Sequence, residues 1–131
     1  MADLHDLRCL ALALPATVEE EGRLAFAVMN KGKAKGIAWV WLERVDPKQA
    51  RVPNPAVIAI RVRNNTEKEL LIEAEPTKFF TEPHYNSFPA ILVRLAAVAA
   101  DELEALLLVA WRAQAPPALV KKFDEQRGDQ R

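Results

Sequence analysis

The chain contains one cysteine, Cys9, among 131 residues, so it can form no internal disulfide and no multi-cysteine metal cluster. Cys9 reads as a small buried apolar residue of a first helix rather than as a reactive thiol. There are two histidines, His5 and His84, far apart in sequence, and neither belongs to a zinc-protease or paired-histidine spacing. The four glycines form neither a nucleophile elbow nor a phosphate-cradling loop, since the Gly32–Gly36 stretch is not followed by a helix pattern. The acidic run Glu19–Glu21 reads as a solvated loop rather than a cation site. No catalytic residue, metal site or cofactor is therefore predicted. No apolar run approaches the roughly 18 residues of a membrane span, and the opening Met1–Asp6 lacks a secretory signal pattern. The expectation is a cytoplasmic protein without a membrane partner.

Net charge is absent too, with 18 basic and 18 acidic residues. That balance argues against a protein built wholly to coat nucleic acid. The charges are unevenly placed, however. Residues 23–63 hold nine bases against two acids, whereas residues 1–22 and 64–131 are each net acidic.

What is present fits one domain, for which roughly 100–150 residues is the common size. Asp3 is a candidate N-cap for a helix with Leu4, Leu7, Leu10, Leu12 and Leu14, stopped by Pro15. Residues 24–29 and 37–42 are rich in strand formers and flank Asn30–Gly36, which predicts a hairpin with a lysine-bearing tip. Pro47, Pro53 and Pro55 predict a loop over 46–55, followed by a third strand over 56–62. A second helix follows Asn64 or Asn65, with Leu70, Leu71 and Ala74 on one side up to Pro76. A turn-rich segment over 81–87 leads to a buried strand over 88–95. A long helix over 99–115 would bury Leu103, Leu106, Leu107, Ala110 and Trp111, and Pro116 opens a short last helix. The domain is placed at 1–123, with a polar, fraying tail at 124–131. The order α-β-β-β-α-β-α-α predicts a two-layer α+β fold, an antiparallel sheet with helices packed on one face.

Several of these segments carry a resemblance. Phe79-Phe80, the run Thr81-Glu82-Pro83-His84-Tyr85-Asn86-Ser87-Phe88-Pro89, the strand ending Val93-Arg94-Leu95, the acidic leucine-rich helix ending Ala110-Trp111-Arg112, and Ala115-Pro116 together resemble the MmcQ/YjbR family. The early Leu14-Pro15 turn and the Ala25-Phe26 strand fit it as well. The resemblance implies a fold similar to type III secretion chaperones and to frataxin-like CyaY. It also carries a suggested DNA-binding role through a double-wing arrangement.

Two candidate surfaces emerge. Lys31, Lys33 and Lys35 alternate along the predicted hairpin and would line one side of a wing able to meet phosphates, with Arg61 and Arg63 extending the patch. The plain alternative is a solubilising, pairing-averse hairpin tip. Trp39 and Trp41 share a strand face with Ile37, which would serve base stacking, a small ligand or a self-association interface, or be simple core. His84 and Tyr85 form the best local site candidate, alternatively a structural turn with Tyr85 packed beside Phe79 and Phe80. Arg94 completes this ligand or partner surface. Partners are thus nucleic acid, a protein (a second copy included) or a small ligand.

Overall fold

The computed structural model describes residues 2–20, 24–43 and 48–129, the last three as backbone alone. Four helices and six strands are laid down in the order α1 (Leu4–Leu12), β1 (Thr17–Glu19), β2 (Ala25–Asn30), β3 (Lys33–Glu43), β4 (Val52–Arg61), α2 (Asn65–Ala74), β5 (Phe79–Phe80), β6 (Ala90–Arg94), α3 (Ala100–Gln114) and α4 (Pro117–Asp129). The strands make one antiparallel sheet in the spatial order β1-β2-β3-β4-β6-β5. The helices pack on one face, giving the two-layer α+β arrangement expected from the element order.

The main core lies between these layers. Leu7 and Ala11 of α1, Phe26 and Val28 of β2, Ile58 and Ile60 of β4, Ile91 and Val93 of β6, and Leu103, Leu107 and Trp111 of α3 are all buried there. Each fully buried large apolar side chain contributes about 1.5–3 kcal/mol relative to exposure. The Trp111 indole N–H donates to the Pro15 carbonyl at 2.9 Å, which fixes the turn after α1 against α3. Phe123 of α4 packs against Trp111 in a tilted arrangement, 4.8 Å between ring centroids.

Local chemistry explains the helix boundaries. Asp3 accepts from the Asp6 N–H while Asp6 accepts from the Asp3 N–H, a reciprocal cap at the start of α1. Asn64 caps α2 by accepting from the Glu67 N–H at 2.8 Å. At the start of α3 the Glu102 carboxylate accepts from the Ala99 N–H.

Several expectations are corrected. Cys9 is exposed, its Sγ 3.5 Å from His5 Nε2, because α1 turns Leu7 and Ala11 inward instead; Leu12 is exposed for the same reason. On α2 the inward side carries Lys68, Leu71 and Ile72, while Leu70 points out. The proline-bearing stretch is partly strand: β4 begins at Val52, and Leu42 pairs with Pro53. Prolines are tolerated because β6 pairs β4 only over Val57–Arg61, leaving the first half of β4 with a free edge. The last helix continues past Phe123 to Asp129, with Asp124 held by the Arg112 guanidinium. Strands β1 and β5 are too short to leave a periodic signal.

Candidate binding site

The sheet face away from the helices carries Trp39 and Trp41 of β3, Val57 and Ala59 of β4, Leu92 of β6 and Phe80 of β5. Ile37 does not share this face. Phe26 pairs with Ala38 and Ala27 with Gly36, so Ile37 is the extra residue of a β-bulge and turns into the helix-side core. Phe79 and Phe80 likewise split, one to each face, as adjacent strand residues must.

This second face is not an open platform. Residues 81–88 cross it as a strap, anchored at three points. Glu82 accepts from Arg51 Nη1 at 3.3 Å, and the same guanidinium nitrogen donates to the Leu42 carbonyl. Within the 3-10 turn Pro83–Tyr85, the Tyr85 hydroxyl accepts from the Trp39 indole N–H at 3.1 Å. Phe88 lies 6.2 Å from both the Trp39 and the Tyr85 rings, with the Arg61 guanidinium 5.3 Å from its centroid. Beside the strap, Phe80 meets Trp41 edge-on at 5.7 Å, and the Arg94 guanidinium stands 4.1 Å over Phe80. Trp41 is only 9% exposed as a result, and its indole N–H has no acceptor among the described residues. Trp39 and Tyr85 are half-buried, whereas His84 is exposed and meets the Tyr85 ring edge-on.

The strap is held from behind by a residue that sequence reasoning missed. Lys68 of α2 is 3% exposed, and its ammonium donates to the carbonyls of Tyr85 and Phe88. Burial lowers its pKa below the ordinary lysine value. The signal was present in the spacing, since Lys68 lies three and four residues before Leu71 and Ile72 on the inward side of α2. Arg51–Glu82 joins residues far apart in sequence and left no such signal.

Alongside the strap, a cleft of about 720 Å3 is walled by Trp39, Tyr85, Leu42, Pro53 and Leu24. The Arg8–Glu19 ion pair closes one side in fork-to-fork geometry, at 2.9 and 3.0 Å. Hydrogen bonding to Arg8 holds the Glu19 carboxyl below its ordinary pKa.

The basic candidates fall on different sides of the molecule. Strands β2 and β3 are joined by the two-residue turn Lys31-Gly32, both with positive φ (53° and 81°). Lys31, Lys33 and Lys35 are exposed, and none makes an ion pair among the described residues. Lys33 pairs with Asn30 and Lys35 with Val28, which puts them on the helix side of the sheet. Asn30 on that side donates to the Gln114 carbonyl at the end of α3. Arg61 instead reaches Phe88, and Arg63 pairs with Glu67 at 2.6 Å. Arg94 also donates to the carbonyls of Pro76 and Thr77. The sheet thus brings Trp39, Trp41, Tyr85, Arg61 and Arg94 to one face and leaves Lys33 and Lys35 on the other.

Three mycobacterial proteins are similar over nearly the whole chain: Mb2600 of Mycobacterium bovis, and MT2646 and Rv2570 of Mycobacterium tuberculosis. Each is 42% identical over 129 residues, covering 94% of this chain and 96% of the relative, and each is described as uncharacterized. The chain belongs to their family. Its fold is similar to the crystal structure of DR2400 of Deinococcus radiodurans, a protein described as a DUF419 domain. That likeness has a TM-score of 0.63 at 25% identity and covers 85% of this chain and 77% of the other. No family model matches the chain. Among the described residues no helix is long and apolar enough to cross a membrane, and no cluster of side chains could hold a metal ion.

Proposed function

We propose that this family member is a non-catalytic binding domain of the MmcQ/YjbR kind, and that a small planar ligand enters the cleft walled by Trp39 and Tyr85. The observation that carries the reading is the cleft itself. Its volume of about 720 Å3 falls within the range of roughly 300–1,000 Å3 usual for ligand sites. Its walls are largely apolar, with an aromatic pair joined by one hydrogen bond and a single ion pair at the side. Those are the parts of a site that stacks a ring and fixes it with few polar contacts. The strap segment that forms one wall is also the segment with the MmcQ/YjbR pattern, and the similar DUF419 structure supports that placement.

The test is the Trp39 indole N–H resonance, read by 15N NMR during titration with planar aromatic compounds, adenosine and tryptophan among them. The expected result is a saturable shift that Tyr85→Phe weakens or abolishes. A resonance unmoved by every planar compound at millimolar concentration refutes the cleft reading.

The lysines of the hairpin, exposed and without an ion pair among the described residues, favour a second reading, contact with nucleic-acid phosphates by Lys31, Lys33 and Lys35. Anisotropy of a labelled duplex and a labelled single strand checks it. Binding that weakens with salt and is lost when the three lysines become Glu supports it, and no binding at low salt retires it.

A further inference from the structure

The helical layer leaves a gap. Helix α2 packs on β5 and β6, whereas α3 packs on β2, β3 and β4. Between them runs a groove of about 1050 Å3, walled by Leu70 and Leu71 on one side and Leu106 and Val109 on the other, with Phe79 among its lining residues. Leu70 is 62% exposed, more than any other large hydrophobic residue among those described. Leucine set this far out on an otherwise acidic helix does nothing for the core. The ten residues of α2 give the groove a length of about 15 Å, or nearly three helical turns.

The charges around it are lopsided. Arg63 is taken up by Glu67 at one end, and Arg61, which also lines the groove, stands 5.3 Å from the Phe88 ring centroid. At the other end the single ammonium of Lys78 serves both Glu75 and Glu102, at 3.3 and 2.6 Å. Glu73 and Asp101 are exposed one helical step from lining residues and make no ion pair among the described residues. The three cations Arg61, Arg63 and Lys78 face five carboxylates, Glu67, Glu73, Glu75, Asp101 and Glu102, so the rim is net acidic.

We propose that the α2–α3 groove docks an amphipathic helix of a partner protein, one whose apolar stripe is flanked by lysines or arginines. An apolar trough seats residues spaced i, i+3, i+4 and i+7, and an acidic rim selects basic flanks over acidic ones. This site lies on the opposite layer from the Trp39 cleft, so it stands or falls independently of that reading.

The probe is a fluorescein-labelled model helix with leucines at i, i+3, i+4 and i+7 and lysines flanking them, read by anisotropy against the full chain. A second peptide keeps the stripe and replaces every lysine by glutamate. The lysine peptide is expected to bind saturably, more weakly as salt rises, and at least about tenfold more tightly than the glutamate peptide. Leu70→Asp, an exposed substitution that spares the core, is expected to cost about tenfold in affinity with an unchanged melting curve. Glu73→Lys together with Asp101→Lys narrows the preference between the two peptides. Equal affinity for both peptides, no saturable binding of the lysine peptide, or indifference to Leu70→Asp each overturns the proposal. So does self-association in sedimentation that Leu70→Asp abolishes, because a second copy would then fill the groove.

Discussion

Replacing Lys68 by Met separates what holds the protein together from what holds the strap in place. Methionine keeps the unbranched stem that passes through the interior and removes only the ammonium. Two charge-assisted hydrogen bonds are lost, to the Tyr85 and Phe88 carbonyls, each worth about 1.5–3 kcal/mol. Neither carbonyl is orphaned, since the Tyr85 carbonyl still accepts from the Phe88 N–H at 3.0 Å and the Phe88 carbonyl from the Ala90 N–H at 2.8 Å. Against that loss, a buried ammonium without a carboxylate partner among the described residues carries a desolvation cost of several kcal/mol, which the substitution removes. The two effects nearly cancel. The expected global change for Lys68→Met is a loss of only about 1–2 kcal/mol. Lys68→Ala also empties the space of the stem and is expected to lose about 2 kcal/mol more.

The local effect should be larger than the global one. Without the ammonium, the strap keeps its ring contacts and Arg51–Glu82, and its side-chain link to α2 is reduced to the longer hydrogen bond from Asn65 Nδ2 to the Ser87 carbonyl, at 3.4 Å. Urea unfolding followed by circular dichroism gives the global term, and amide hydrogen exchange over residues 83–88 gives the local one. Proton linkage supplies an independent check. Because burial lowers the folded-state pKa of Lys68, the unfolded chain binds more protons in the window just below about 10.5. Wild-type stability should therefore rise with pH through that window relative to Lys68→Met. If Lys68→Met costs as much as Lys68→Ala, or leaves exchange at 83–88 unchanged, Lys68 is not the tether described.

Two further outcomes are expected. Lys31 occupies the left-handed region at φ 53°, so Lys31→Asn should raise the urea midpoint, by about 0.5–1 kcal/mol in stability. A fall in the midpoint would contradict that reading of the turn. The Lys78 hydrogen bond holds the Glu102 carboxyl below its ordinary pKa, so this pair stabilises the fold above the usual glutamate range and ceases to do so as pH falls through the lowered value. Lys78→Met should lose stability at neutral pH and converge on the wild type in acid, as followed by thermal melts from neutral to low pH.

The parts of the fold that could be read from sequence are those with a long local signal. Helix α3 repeats Leu103, Leu107, Ala110 and Trp111 at helical spacing, and caps at Asp3 and Asn64 mark two helix starts. The hairpin is legible from strand formers on both sides of Lys31-Gly32. What escaped depends on pairing between distant segments. The bulge that sends Ile37 inward exists only because β2 and β3 meet in a particular register. Proline in β4 is compatible with a strand only because β6 stops at Val57, a fact of sheet topology. Lys68 stood at the spacing of the inward side, but lysine on a helix is ordinarily a solvent residue, and its burial depends on carbonyls 17 and 20 positions away. The candidate site was half legible. Trp39, Trp41, His84 and Tyr85 stand out as unusual residues, but that the last two lie on a strap over the first two is a tertiary fact.

That strap changes what the tryptophans can do. On a bare sheet, Trp39 and Trp41 would both offer ring faces to any flat partner. Here Trp41 is sealed beneath Phe80 and the strap, so stacking from solvent is closed to it. Trp39 keeps part of its surface at the cleft while the Tyr85 hydroxyl holds its indole N–H. A ring held in one orientation has already lost the freedom that binding would otherwise cost it. The same strap is tied to α2 through Lys68, and α2 forms one wall of the groove on the opposite layer. Displacement of α2 would therefore pull on the carbonyls of Tyr85 and Phe88 and so on the wall of the cleft. The two surfaces share α2, tied to the strap by Lys68 and by the longer Asn65–Ser87 hydrogen bond, and Lys68→Met is the change that would loosen that coupling without emptying the core.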